Sequence, residues 1–331
     1  MSAKVVPGTQ SWLRERNERT ALMLLFDHGA LTRNRIGELT GLSKPTAAQI
    51  VGTLERSGAI EPTGSVSRGR GPNAITYGVR ANRVVGVALD VGETVIRSTV
   101  VDALRTEHPV VETVVADRDH RSAEDEVRSA IAMACREAKV DRTAVRTVAL
   151  ALPGSFDPRT DELSFIDTVP GWPTAGILKH LRRQLGVEVS IDNDVNLAAI
   201  AERFEGAGID SASFALLWLG AGLGLATDLD GTVYAGAAGG AGEVGYLPVP
   251  WNAASIDPDA HDLQELLGQP AVLAIAAAHG VAADGDRGVL DILVDHPARH
   301  AVFAEVARRA AIGVVPVLAI LDPESIILGG P

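Results

Sequence analysis

The sequence predicts an α/β body behind a short, basic, mostly helical N-terminal unit. Three observations carry that reading. At 331 residues the chain exceeds what one hydrophobic core usually organises, so two or more folding units are expected. Its charge is divided by region: residues 1–80 carry 11 Lys and Arg against 6 Asp and Glu, and the remainder carries 19 against 36, within a net charge of −12. Near Arg80 the apolar pattern also changes, from helical spacing to strands alternating with helices.

Composition removes several classes of function. An apolar fraction of 46% is ample for packed cores, yet no stretch reaches the roughly 18 uninterrupted apolar residues of a membrane helix. The start MSAKVVPGTQ lacks the apolar run of a secretion signal. A cytoplasmic protein with no membrane partner is therefore expected. The single cysteine, Cys135, excludes an internal disulfide and a multi-thiolate zinc site within one chain, and its apolar helical context makes it a buried bystander. A basic head on an acidic body suggests that only the head meets a polyanion.

The N-terminal unit, residues 1–80, reads in order as follows. From Ser11 to His28 a first helix carries Leu22, Leu25 and Phe26 at helical spacing. A short helix, Arg33 to Thr40, turns Ile36 and Leu39 inward and is broken by Gly41. Ser43 then caps a third helix that tolerates Pro45 in its first turn. There Ala47, Ile50, Val51 and Leu54 form the buried stripe, which leaves Lys44, Thr46 and Gln49 outward. Beyond it, Ile60 and Ile75 to Tyr77 read as short strands around the loop SVSRGRGPN, with Arg68 and Arg70 at its tip. Helix, turn, helix and cationic wing together predict a winged helix-turn-helix. Ser43, Lys44, Pro45, Thr46 and Gln49 would meet the major groove of operator DNA, and Arg68 and Arg70 its minor groove or rim. A single such head reads few base pairs, so a homodimer on a palindrome is expected.

In residues 81–331, Val84 to Asp90 and Val95 to Val101 make a tight hairpin with Asp90, Gly92 and Thr94 at its mouth. A helix from Ser122 to Ala138 leads to the strand Val145 to Leu152, which ends in Pro153 and Gly154. The strand Val187 to Ile191 ends in Asp192, Asn193 and Asp194 at the start of a helix reaching Glu205. Two carboxylates and an amide at that junction suit a ligand, although Asp and Asn also serve as plain helix caps. After the strand Phe214 to Leu219 come Gly220, Gly222 and Gly224, then a second glycine run before Glu243, Val244, Gly245 and Tyr246. Glycine turns after strands let backbone amides approach phosphates.

In this order the motifs resemble those of the ROK family of repressors, open reading frames and kinases, from residue 11 to the end. The resemblance implies a two-lobed actin-like ATPase (ribonuclease H-like) fold, with lobes of about 81–193 and 194–331 around a sugar cleft. It also implies phosphate motifs at Asp90, Gly92 and Thr94 and at Gly220, Gly222 and Gly224. Gly154, Asn193, Asp194 and Glu243 would line the cleft, with Asp194 as the base of the kinases. With the head in front, the chain is similar to the repressor branch.

Departures from the family pattern bear on activity. Glu93 stands where a glycine is usual, and Ala221 where a threonine would donate to phosphate. The zinc ligands of the family, a His and three Cys, correspond to Tyr246, Ser255, Asp257 and Asp262, so no zinc and no other cofactor is expected. Gln264, Thr168 and Tyr246 replace a Glu, an Asn and a His of the sugar site, which points to an altered effector. The chain stops at Pro331, just after the strand Ser325 to Leu328, where the family continues into helices of the nucleotide lobe. A truncated or unfinished nucleotide site is expected. The leading expectation is a repressor governed by a sugar-like effector. An ATP-dependent sugar kinase with an added DNA-binding domain and a constitutive DNA-binding protein are the competitors.

Overall fold

The computed structural model describes residues 10–67, 73–116, 120–165, 169–220, 222–250, 256–282 and 292–330. The chain divides into two compact units. One comprises 1–88, 98–112 and 129–148, the other 89–97, 113–128 and 149–331.

In the first unit, α1 (Gln10–His28), α2 (Arg33–Thr40) and α3 (Lys44–Arg56) are followed by the antiparallel pair β2 (Ile60–Val66) and β3 (Ala74–Val79), with β1 (Leu31–Thr32) on the other edge of β3. Thr32 caps α2 by accepting from Arg35 N, and Gly41 ends it at φ 70°. Ser43 caps α3, with Pro45 in the first turn. Ala21, Leu25, Ile36, Ile50, Val51, Leu54, Ile60 and Tyr77 make one core. Two expected core residues face water instead: Phe26 is 39% and Leu39 37% exposed. On α1, Leu25 is buried as expected and Leu22 packs against the core, but Ala21 is buried in place of Phe26, because the run Ala21 to Phe26 is apolar throughout and its spacing does not select a face. Arg33 closes this core from above, donating to the Tyr77 hydroxyl with its guanidinium 5.0 Å from the ring centroid.

The body strands β4 (Val85–Val91), β5 (Val95–Asp102), β6 (Val111–Val114), β7 (Val145–Leu152) and β10 (Glu188–Asn193) form a sheet of order β10-β7-β4-β5-β6. On α4 (Ala123–Glu137), Cys135 is buried and free.

In the second unit, β8 (Ser155–Asp157) and β9 (Glu162–Ser164) form a small hairpin ahead of α5 (Ile177–Leu185). A sheet of order β13-β12-β11-β14 joins β11 (Ser213–Leu219), β12 (Leu223–Leu229), β13 (Thr232–Val233) and β14 (Ser325–Gly329), the last parallel to β11. β11 is buried on both faces. Phe214 and Leu216 pack with Val195 and Ala199 of α6 (Asp194–Glu205). Ala215 and Leu217 pack with Leu263, Leu266 and Leu267 of α7 (Leu263–Leu267) and with Ala310 and Val317 of α9 (Arg299–Leu321). Between α7 and α9 runs α8 (Gln269–Ala278). Helices on both faces of this sheet make the unit an α/β layer structure. No helix among the described residues is long and apolar enough to cross a membrane.

Candidate functional site

The junction of β10 and α6 is built by local hydrogen bonds. Asn193 is the N-cap of α6, its Oδ1 accepting from Asn196 N at 3.0 Å, while its Nδ2 donates to the Gly154 carbonyl at 2.8 Å. The cap reading of Asn193 thus holds at the oxygen end of its amide, while the nitrogen end bonds to backbone. Gly154, at φ 85°, lies so close to the next hairpin that a Cβ there would come 2.5 Å from the Phe165 carbonyl oxygen, so a side chain is excluded on two grounds. Asn196 is 3% exposed; its Nδ2 donates to Asp192 at 3.3 Å, and its Oδ1 is a buried acceptor without a partner.

Asp194 opens α6 and accepts from Val195 N at 2.8 Å. Burial pushes its carboxyl up to about 6, the Val195 amide opposes that shift, and the charge of Asp90 adds to it. Glu243 is likewise raised, first by burial and then by the charge of Asp194. Asp194 therefore feels the charge of Asp90, and Glu243 that of Asp194. Asp90 is exposed, with Arg97 at 3.6 Å.

The hairpin mouth next to Asp90 is held from behind. Gly92 N donates to Val95 O at 3.0 Å. The Arg121 side chain is fully buried, donates to Gly92 O at 2.9 Å and Glu93 O at 3.4 Å, and pairs with Glu126 at 2.7 Å. Trp172 Nε1 donates to the same Glu126 carboxylate at 3.2 Å. Thr94 accepts on its carbonyl from Val115 N.

Other expected site residues have found structural employment. Gln264 Oε1 accepts from Leu223 N at 2.5 Å, tying α7 to the start of β12. Gly224 is required by packing, since a Cβ there would meet the Val195 side chain at 2.7 Å. Gly220 N donates to Gly222 O, closing the turn before β12. The ring of Tyr246 packs on Phe165. Thr168, Arg68, Arg70 and Ala221 lie outside the described residues.

Of the four positions of the zinc ligands, the three described ones each have a partner of their own. Tyr246 turns to Phe165; Asp257 pairs with Arg309 at 2.9 Å; Asp262 caps α7 by accepting from Glu265 N at 2.8 Å; Ser255 is outside the described residues. Arg309, 9% exposed, also donates to Leu266 O and Glu305. Among the described residues no group of three or more His, Cys, Asp or Glu could hold a metal ion. With two hard carboxylates already engaged and a phenol facing elsewhere, the donor set does not fit zinc.

In the N-terminal unit, Ser43 Oγ accepts from Thr46 N at 3.4 Å and meets Thr46 Oγ1 at 2.8 Å. Lys44, Pro45 and Gln49 are exposed. Thr46 and Gln49 border a groove of about 210 Å³ with Leu13, Arg14 and Asn17 of α1.

Arg121, Phe165 and Arg309 were not anticipated from sequence. Each owes its position to contacts across many residues, which local periodicity does not carry.

Known proteins agree with this architecture. The chain is 22% identical to the xylose repressor of Bacillus spizizenii over 73% of its own length and 63% of that protein. It is 26% identical to the beta-glucoside kinase of Klebsiella pneumoniae over 55% of its length and 63% of that protein. Over the first curated relatives it matches, the chain spans about three fifths of their length. A crystal structure of a ROK family transcriptional regulator, homologue of the E. coli MLC protein, has the same fold at a TM-score of 0.63 and 18% identity, covering 96% of this chain and 83% of that one. The model of the ROK family matches residues 86–331, well over half of the sequence, and the chain belongs to that family.

Proposed function

We propose that the chain is a sugar-responsive transcriptional repressor of the ROK family, with a winged helix-turn-helix at residues 1–80 and an effector-binding, actin-like module at 81–331. The observation that carries the reading is the start of α3, where Ser43, Lys44, Pro45 and Gln49 are exposed behind the Gly41 turn and ahead of the β2–β3 hairpin. A helix N-terminus with short polar and cationic side chains suits phosphates and base edges. The likeness to a xylose repressor supports both the DNA partner and the sugar effector. Such heads act in pairs, so the active form is a homodimer.

The effector is bound around Asn193, Asp194 and Glu243. It is a neutral sugar, because Asp90, Asp194 and Glu243 place like charges where a phosphate ester would have to lie. Binding shifts the population of paired heads away from the operator spacing. No zinc takes part: Arg309 and Asp257 fasten the segment that a metal would otherwise hold.

A mobility-shift assay on the DNA flanking the protein's own gene, at two salt concentrations, tests the reading. A specific, salt-sensitive shift weakened by Lys44→Ala and relieved by a neutral sugar is expected. Absence of any specific shift from the folded full chain would refute it.

One observation favours a second reading. Asp194, raised to about 6 at the start of α6, is tuned as a general base for a sugar hydroxyl, and the chain is similar to a beta-glucoside kinase. ATP turnover in a coupled assay with a sugar panel, abolished by Asp194→Ala, would put the kinase first.

A further inference from the structure

Phe165 has no task in the account above, and Tyr246 has only the place of a histidine in the family pattern. Their ring centroids lie 5.0 Å apart at an interplanar angle of 40°, and the residues are 48% and 57% exposed. Two large rings touching each other yet left half in water forgo the burial that normally rewards aromatic side chains.

Both are anchored in the backbone of the effector site. Gly154, whose carbonyl accepts from Asn193, packs directly against the carbonyl of Phe165. Tyr246 ends the single helical turn Val244–Tyr246 that follows Glu243. Phe165 also sits at φ 59°, a conformation that bulky side chains rarely adopt and that concentrates at ligand sites. Both rings thus spring from the chain segments that carry the amide and the carboxylates: Phe165 through its backbone beside Gly154, Tyr246 three residues after Glu243.

The chemistry of these segments is two-sided. Asp194 and Glu243 offer carboxyl groups, and Asn193, bonded to the protein at both ends of its amide, keeps one further N–H, whereas the carbonyl oxygen of Gln264 is committed to Leu223 N. A sugar ring is two-sided in the same way: hydroxyls project around its rim, and its axial C–H groups make an apolar face. The electron-rich face of an aromatic ring attracts such C–H groups.

We infer that Phe165 and Tyr246 form a stacking wall that receives the C–H face of a neutral sugar while Asn193, Asp194 and Glu243 bind its hydroxyls. The wall makes the aromatic rings, rather than additional polar contacts, the determinants of which sugar fits. This rests on the sugar-effector reading above.

The test is calorimetric titration of the full chain with D-xylose, D-glucose and their phenyl β-glycosides, repeated on Phe165→Ala, Tyr246→Ala, Tyr246→Phe and Asp194→Asn. Both alanine variants are expected to weaken binding about tenfold, with Tyr246→Phe within about twofold of wild type because the ring and not the hydroxyl makes the contact. Saturation-transfer NMR is expected to label one C–H face of the bound sugar in wild type and to lose that bias in Phe165→Ala. Unchanged affinity in both alanine variants, alongside a loss in Asp194→Asn, would overturn the wall and leave the sugar reading standing. No binding of any of these sugars by wild type would remove both.

Discussion

Asn193 Nδ2 donates to the carbonyl oxygen of Gly154 across 39 residues of sequence, at 2.8 Å, so the cap of α6 and the loop after β7 are fastened by one side chain. Because the other end of the same amide caps the helix, the residue cannot be replaced without loss at one end or the other.

Asn193→Ala removes both bonds and is expected to lower stability by about 2 kcal/mol. Asn193→Asp keeps the cap acceptor but sets a carboxylate oxygen against the Gly154 carbonyl, and is expected to fall between the two while losing effector binding as fully as the alanine variant. Urea unfolding of the three proteins orders them.

Asp194 gives a pH signature whose sign follows from its raised pKa. The folded-state value of about 6 lies above the ordinary 3.8, so the native state holds its proton more tightly. The stabilisation is complete below about pH 4 and is lost as pH rises through about 6. Asp194→Asn removes the titration and is expected to gain on wild type between pH 5 and 7, reaching about 1–2 kcal/mol once partial solvent contact is allowed for. Unfolding midpoints measured across that range check it; a difference that stays constant with pH contradicts the burial of this carboxyl.

Chelation is expected to leave the protein untouched. Prolonged treatment with EDTA leaves the thermal midpoint unchanged, and metal analysis returns far less than one zinc per chain. Arg309→Met, by contrast, strips Asp257, Glu305 and the Leu266 carbonyl of a nearly buried partner and costs about 3 kcal/mol. A midpoint that falls on chelation would restore the metal.

In the head, Ser43→Ala removes the cap of α3 and is expected to destabilise it by about 1 kcal/mol. Lys44→Ala leaves stability unchanged and weakens DNA binding, with a shallower salt dependence. Circular dichroism and a salt series of mobility shifts separate the two effects.

The parts of this architecture legible in the sequence are those written locally. Arg33–Thr40 reads directly as a helix, and the cap at Ser43 and the strand Val145–Leu152 stand where spacing and turn residues put them. The hairpin β8–β9 escaped notice, because three-residue strands carry too little alternation to stand out from a loop. At the candidate site, motif order singled out Asp90, Asp194 and Glu243, but not which of them act on one another's charge. The dual use of Asn193 and the structural commitment of Gln264 were not legible, since both depend on which backbone atoms the tertiary fold brings within reach. Arg121 had no local mark at all: its value lies in carbonyls 28 and 29 residues earlier.

That arginine has a mechanical consequence. Its guanidinium, with no access to water, bolts the tip of the β4–β5 hairpin to the first turn of α4, and through Glu126 to the indole of Trp172. Prising the hairpin away would take the Gly92 and Glu93 carbonyls from one guanidinium nitrogen, at a cost of about 1–3 kcal/mol while it stays buried, and leave the pair with Glu126 intact. The tip of the hairpin, the start of α4 and the Trp172 turn therefore travel as one rigid piece, and whatever breathing admits a ligand falls to walls that lack such a bolt.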